Sequence, residues 1–306
     1  MGATFIFCAD PLRPRRTDPH FADEARAARA LDRPVALIDH DALVSGDATA
    51  AVARVPEGSG AAWYRGWMLT AGQYGALYGA LAARGVRLLT APADYRRAHE
   101  LPGWYAVFRA ATPHSVRLPG APGTLPDGPG LAAAAGALGG GPAVVKDHVK
   151  SRKHEWHEAC FVPDLTDTRR LASVVARFVE LQGDSLVGGV VLREFEDFDP
   201  TVGEARVWWV DGEPALLTAH PDTPALRPEP ELGFVGPLVA ALGCRFVTTD
   251  LALRRDGAWR VVEVGDGQVS DLPKGAAAGH LVDCLATAAT GRAPRALRRP
   301  ESRREG

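Results

Sequence analysis

Two observations in the sequence predict an α+β protein. The first hundred residues alternate short apolar runs with amphipathic stretches, as strands and helices of a parallel layer do. The second half carries two pairs of apolar runs joined by Asp211-Gly212 and Asp256-Gly257, which read as antiparallel hairpins.

The elements follow in order. Thr4 to Cys8 (TFIFC) predicts a strand, Phe21 to Leu31 a helix and Pro34 to Ile38 a second strand. Ala62 to Leu69 reads as a third strand. Gln73 to Arg84 is an apolar-faced helix stopped at Gly85, and Val86 to Leu89 a further strand. This N-terminal α/β layer is expected to span 1–110. Prolines and glycines then break the chain from Leu118 to Gly141, with one short helix at Leu131 to Leu138. Beyond it, Ala143 to Asp147 and Glu158 to Val162 read as strands, Thr168 to Leu181 as an amphipathic helix, and Gly189 to Phe195 as a strand. The hairpins pair Ala205–Val210 with Pro214–Ala219, and Phe246–Leu253 with Trp259–Val264. From Ala293 the chain is charged and poor in apolar residues, so 293–306 is expected to be a disordered basic tail.

Composition excludes several classes. The 306 residues exceed what one core usually supports, so two or three subdomains are expected. A formal net charge of -2 speaks against a protein whose main partner is nucleic acid or an anionic membrane. No stretch reaches the roughly 18 apolar residues of a membrane span. Met1 to Asp10 lacks the basic and long apolar regions of a secretory signal. Cys8, Cys160, Cys244 and Cys284 form no Cys-x-x-Cys pair, so a zinc ribbon or disulfide scaffold is not expected and a cytoplasmic location fits.

Lysine usage is unusual. Of 35 basic residues only Lys146, Lys150, Lys153 and Lys274 are lysines, and three of these fall in KDHVKSRK. A compact, flexible ammonium reaches phosphates in a way a planar guanidinium does not. The alternative is a chance cluster on a solvated loop. His154, His157 and Cys160 in the same stretch suggest a metal site, but no fourth ligand is near and zinc is not expected. In VVLREFEDF, an apolar strand turns polar at Arg193-Glu194 and leaves through Phe195, Glu196, Asp197 and Phe198. That suits a base-binding hinge, and equally an ordinary strand with an acidic exit. Arg206, Asp250 and Glu263 interrupt otherwise apolar strands. Asp250 and Glu263 lie six residues either side of Asp256-Gly257, so a two-residue hairpin would set them opposite one another. Facing carboxylates repel unless a cation sits between them, and oxygen ligands suit Mg²⁺. Exposed carboxylates paired with Arg206 or Arg245 are the other account. The metal reading is preferred because Glu263 runs directly into Gly265-Asp266-Gly267-Gln268.

Lys146 in PAVVK, the VVLREF hinge, Arg206 in GEARVWW, Asp250 in TTDLAL and the ending VVEVGDGQVS together resemble the ATP-grasp superfamily, in order and in spacing, over roughly residues 90 to 285. The segment is most similar to a bacterial and phage subgroup with carboxylate-amine ligase-like members. The resemblance implies a pre-ATP-grasp domain over 1–110, a lid over 111–190 and a C-terminal subdomain over 191–292, with ATP between the last two. It implies Lys146 on the α- and β-phosphates, and Arg193, Glu194 and Phe195 along the adenine. Glu196 or Asp197 would take the ribose, Arg206 the γ-phosphate or an acyl phosphate, and Asp250 and Glu263 the Mg²⁺. Gly265 stands where many members have a metal-binding Asn, so Asp266 is the expected substitute. The family's earlier lysine is absent, with Arg96, Arg97 or His99 as stand-ins.

The function implied is an ATP- and Mg²⁺-dependent carboxylate-amine ligase working through an acyl phosphate. Such chemistry asks for charge neutralisation and positioning rather than a nucleophile. Lys150 and Lys153, with Arg152, would close over the phosphates as a mobile loop. Arg65, within Trp63-Tyr64-Arg65-Gly66-Trp67, could fork onto a substrate carboxylate, or the aromatics could pack a seam beside a surface arginine. Lys274 follows the metal loop and is the other substrate candidate. The expected partners are small-molecule or peptide carboxylates and amines, with no membrane and no nucleic acid; a homodimer stays open. The alternatives are a nucleotide-binding protein without ligase activity and an RNA-associated ATP-grasp protein.

Overall fold

The computed structural model describes residues 2–293 and 296–299. Its contacts divide the chain into two units: Met1–His99 with Asp199–Leu253 and Val262–Gly306, and Glu100–Phe198 with Arg254–Val261.

The chain begins in the first unit with β1 (Thr4–Asp10), β2 (Arg13–Thr17), α1 (Ala22–Ala30), β3 (Val35–Ile38), α2 (His40–Val44) and α3 (Ala48–Ala51). It continues through β4 (Gly60–Arg65), α4 (Ala71–Ala83), β5 (Val86–Leu88) and α5 (Pro92–His99). β1 pairs in parallel with β3 and β4, and β4 with β5, as the alternating pattern predicts. β1 is buried on both faces, which explains its unbroken apolar run. β2 has no counterpart in the sequence pattern. It is an arginine-rich edge strand containing Pro14, and such composition masks a strand because an edge tolerates both. α4 starts at a capping box in which the Gln73 amide donates to Thr70 Oγ1 and the Thr70 amide to Gln73 Oε1.

The second unit holds α6 (Leu101–Phe108), β6 (Ser115–Pro119), α7 (Gly128–Ala137), β7 (Ala143–Lys146), β8 (Phe161–Val162), α8 (Thr168–Gln182) and β9 (Gly189–Glu194). Its antiparallel sheet runs β6-β9-β7-β8. α7 and α8 contribute Leu131, Ala134, Leu171, Val175 and Phe178 to its core. At Gly189, φ is +110° and a Cβ would meet Leu118 O at 2.3 Å, so only glycine fits where β9 meets β6. The strand expected over Glu158–Val162 is shorter than predicted: a π-helical turn occupies Trp156–Cys160, and only Phe161–Val162 pairs with β7.

The first unit resumes with β10 (Glu204–Val210), β11 (Glu213–Ala219), α9 (Gly236–Leu242), β12 (Phe246–Leu253), β13 (Trp259–Asp266) and α10 (Ala278–Ala288), in a sheet ordered β11-β10-β12-β13. At the β10–β11 turn both Asp211 and Gly212 have positive φ, as the Asp-Gly signal predicts. The other turn differs. Gly257 alone has positive φ, and the Arg254 amide donates to Ala258 O, giving a three-residue loop. A two-residue turn is therefore not what sets Asp250 relative to Glu263.

The expected divisions at 110 and 190 fall elsewhere. Trp63, Trp208, Phe246 and Leu285 share one core, with Trp63 Nε1 donating to Leu285 O, so the N-terminal layer and the C-terminal sheet form one unit. β9 completes the sheet of the other unit, which runs on to Phe198. Of the tail, Arg298 makes a single parallel bridge to β11: the Leu217 amide donates to Arg298 O and the Arg298 amide to Ala215 O. Arg298 pairs there because β11 is a sheet edge with open hydrogen-bonding groups; residues 294–295 and 300–306 lie outside the described residues. No described helix is long and apolar enough to cross a membrane.

Candidate active site

In the first unit the sheet brings charge together. β10 and β12 pair with Arg206 opposite Asp250, and the Arg206 guanidinium forks onto both Asp250 oxygens at 2.8 Å. Arg206 Nη1 donates to Asp271 O at 3.1 Å. The side chains are 11% and 6% exposed. Burial opposes the guanidinium's charge, but the pairing with Asp250 outweighs it, helped by Glu204 and Glu263, so Arg206 stays charged. Glu204, two residues before Arg206, shares its face by strand periodicity. The ligand atoms of Glu204, His220 and Asp250 all lie within 4.8 Å of one another. The Asp222 amide donates to His220 Nδ1, leaving Nε2 to carry the proton toward Asp250 Oδ2 at 3.6 Å. His220 is thus a donor here. Glu204 and Asp250 offer oxygens, each Asp250 oxygen keeping a lone pair beside its bond to Arg206, and Glu263 adds its charge at the same guanidinium. This donor set fits Mg²⁺.

Asp266 does not belong to it. The side chain has no exposure, Oδ1 accepts from the Gln268 amide and Nε2, and Oδ2 is buried without a partner among the described residues. Burial pushes the carboxyl up to about 7, against the lowering effects of Gln268 and Arg65. The signal is present in the sequence: Asp266 stands two residues after Val264, on the buried face, while Glu263 and Gly265 alternate to the other. Arg65 is not a substrate ligand either. At 1% exposure it forks onto Glu24 at 2.6 and 2.7 Å, gives Nη1 to Gly267 O and Ser270 O, and stacks over Trp208. Its donors are committed to clamping the loop after β13. Glu24, its counter-charge, has no sequence signal beyond a carboxylate in an amphipathic helix.

In the second unit Lys146 ends β7, 5% exposed, opposite Val191 of β9. The turn after it hangs on Asp147, a residue with no motif of its own. Its Oδ1 accepts from the Val149 and Lys150 amides, and its Oδ2 from Gln182 Nε2 and the Val187 amide. Lys150 and Lys153 follow, both exposed. The hinge differs from expectation. Arg193 is buried and donates to Thr112 Oγ1, so it braces the unit's interior. The amides of Glu194 and Phe195 already donate to His114 O and Pro142 O, which removes them as base-pairing donors. The Phe195 ring remains half-buried, edge-on to Trp156 and Phe161. Glu196 is closed by the Arg260 fork, whereas Asp197 pairs with Arg255 in the open. Among the stand-ins for the early lysine, in the first unit, His99 is buried against Tyr95 and Arg97 pairs with Asp94.

Residues 137–285 match the model of an ATP-grasp domain family, the third family of its clade. The chain has the ATP-grasp fold. No curated protein matches it. Among solved structures, D-cycloserine synthetase DcsG aligns with a TM-score of 0.61 at 17% identity, over 94% of this chain and 100% of that one. A RimK domain ATP-grasp protein from Sphaerobacter thermophilus DSM 20745 gives 0.56 at 14%, over 92% and 98%. The ATP-grasp ligase PsnB, complexed with minimal precursor, Mg and ADP, gives 0.55 at 16%, over 94% and 98%. What these identities share is the ATP-grasp fold. Lys146, Arg206, Asp250, Glu263 and Lys274 fall inside the matched range; Arg65, the interior clamp, falls outside it.

Lys274 has a setting that no local pattern supplies. It lines a cavity of about 1270 Å³ within the first unit, formed by β11, the stretch from Asp271 to the first turn of α10, and residues 298–299. Arg227, Arg298 and Arg299 line it as well, against Asp271, whose Oδ1 meets His20 Nε2 at 2.6 Å. Asp271 also connects the cavity to the charged cluster, since its carbonyl receives Arg206 Nη1.

Proposed function

We propose that the protein is an ATP- and Mg²⁺-dependent ligase that joins a carboxylate to an amine. One observation carries the reading: a charged Arg206 is fixed among Glu204, Asp250 and Glu263, one backbone carbonyl from a large cationic cavity. A cation-binding carboxylate set beside an acceptor cavity is what phosphoryl transfer to a substrate carboxylate needs.

The substrate carboxylate oxygen attacks the γ-phosphorus; its bond to the bridging oxygen breaks, ADP leaves, and an acyl phosphate results. The acceptor amine then attacks the acyl carbon. The C–N bond forms, inorganic phosphate departs, and the nitrogen loses a proton. Arg206 keeps two N–H donors beyond its bonds to Asp250 and Asp271, available to the transferring phosphoryl oxygens and then to the acyl phosphate. Lys146 neutralises the α- and β-phosphates, and the exposed Lys150 and Lys153 cover them. Asp197 takes the ribose hydroxyls, with Phe195 as an apolar wall for the base. Glu204 and Asp250, with the charge of Glu263 beside them, would hold Mg²⁺, which would supply charge neutralisation on the phosphates. Lys274 contacts the substrate in the cavity, away from its reacting carboxylate.

The test is ADP release on incubation with ATP, Mg²⁺ and pools of amino acids or peptides, with mass spectrometry for a product one water lighter than its two components. Asp250→Asn and Lys146→Ala should each lower turnover by about 100-fold or more. ATP binding without ADP release from any pool would leave a nucleotide-binding protein and sink the ligase reading.

A further inference from the structure

The cavity's charge is not that of the molecule. The chain carries a net charge of -2, yet among the described residues Arg227, Lys274, Arg298 and Arg299 line the cavity with one carboxylate, Asp271, which is already joined to His20. Two of those four cations come from the extreme C-terminal stretch. Backbone hydrogen bonds of 2.9 and 3.0 Å hold Arg298 beside β11 in a single bridge, which brings Arg298 and its neighbour Arg299 to the cavity wall. Ala215 O accepts both the Arg298 amide and His280 Nε2, which ties the tail to α10 at the cavity's edge. At about 1270 Å³ the space exceeds the roughly 300–1,000 Å³ of ordinary small-molecule pockets.

Building on the ligase reading, we propose that the cavity selects a substrate bearing two or more carboxylates, and that residues 296–299 form part of the selecting wall. One carboxylate is the reacting group near Arg206; the others are read by Lys274, Arg298 and Arg299. The volume favours an acidic peptide, and a free dicarboxylic amino acid offers the same chemistry. The arginines of the C-terminal stretch thereby serve substrate choice, not nucleic acid.

The experiment measures binding separately from turnover. Full-length protein is titrated with a labelled Glu/Asp-rich heptapeptide, a Ser/Gly counterpart and a Lys-rich counterpart, with free glutamate as competitor. The acidic peptide should bind at least about 10-fold more tightly than the neutral one and weaken as salt is raised. Arg298→Glu combined with Arg299→Glu should lose that preference and turn toward the Lys-rich peptide, a gain that a misfolded variant would not show. Lys274→Glu, at an exposed position, should shift preference the same way. Displacement by glutamate at similar concentration supports the proposal with a free dicarboxylic acid as the source. Equal binding of acidic and neutral peptides, or unchanged preference in both variants, overturns it. Acidic binding with no ADP release supports the cavity's selectivity while overturning ligation; ADP release with neutral acceptors alone does the reverse.

Discussion

Asp266 shows how far a residue's surroundings can move its chemistry. Its carboxyl lies in the interior with one oxygen bonded twice by Gln268 and the other without a described partner, and burial raises it to about 7. The unfolded chain titrates it near the ordinary value of about 3.9. Between those values the folded state binds more protons than the unfolded state, so this group's contribution is fully present below about pH 4 and is lost as pH rises through about 7. Asp266→Asn cannot ionise. It should be more stable than the parent at pH 8, by an amount on the order of 4 kcal/mol, and the advantage should vanish near pH 4. Urea denaturation across that range checks this, and a pH-independent difference would show that Asp266 is not the titrating group. The Arg65–Glu24 pair nearby is the contrasting case, two buried charges satisfied by each other and by two backbone carbonyls.

Among the elements, the turn after β7 depends most on one side chain. Asp147 accepts four hydrogen bonds and so links the strand bearing Lys146, the start of the lysine loop, α8 and the approach to β9. Asp147→Ala strands those donors, and each unsatisfied buried donor costs about 1–3 kcal/mol. The expected result is faster hydrogen exchange at the Val149 and Lys150 amides together with a raised KM for ATP. Faster exchange with unchanged KM would separate the turn from nucleotide binding. The two Asp-Gly turns make a parallel point about loops. They share a dipeptide, yet only the β10–β11 turn uses positive φ at both positions, because the β12–β13 loop spends a third residue before returning.

Over the whole molecule, charge is sorted by unit. The first unit gathers Arg206 with its carboxylates and the cationic cavity; the second holds Lys146, Lys150 and Lys153. A ligand that binds only the folded chain stabilises it by mass action, about 2.7 kcal/mol at a hundredfold excess over Kd. ATP with Mg²⁺ should therefore raise Tm by several degrees in the parent and by little in Lys146→Ala, read by thermal denaturation at fixed nucleotide. A full shift in the variant would remove Lys146 from the nucleotide site.

Most strands of the sheets, the lysine at the end of β7, and the charged residues set into β10 and β12 are legible in the amino-acid pattern, whereas the edge strand β2 and the short helices are not. Those features are local: apolar periodicity, a turn dipeptide, or a charge where a strand should be greasy. Even the burial of Asp266 is legible, since strand alternation groups it with Val264. The partners, by contrast, come from the fold. Glu24 finds Arg65 across 41 residues and Asp250 finds Arg206 across 44, distances at which only strand order and helix packing bring side chains together. The same holds for Glu204 and His220 around Asp250, and for the cavity, whose wall joins β11, α10 and the last described residues. A pairing between distant segments has no local signature, because its free energy comes from contacts that exist only once the chain has closed upon itself.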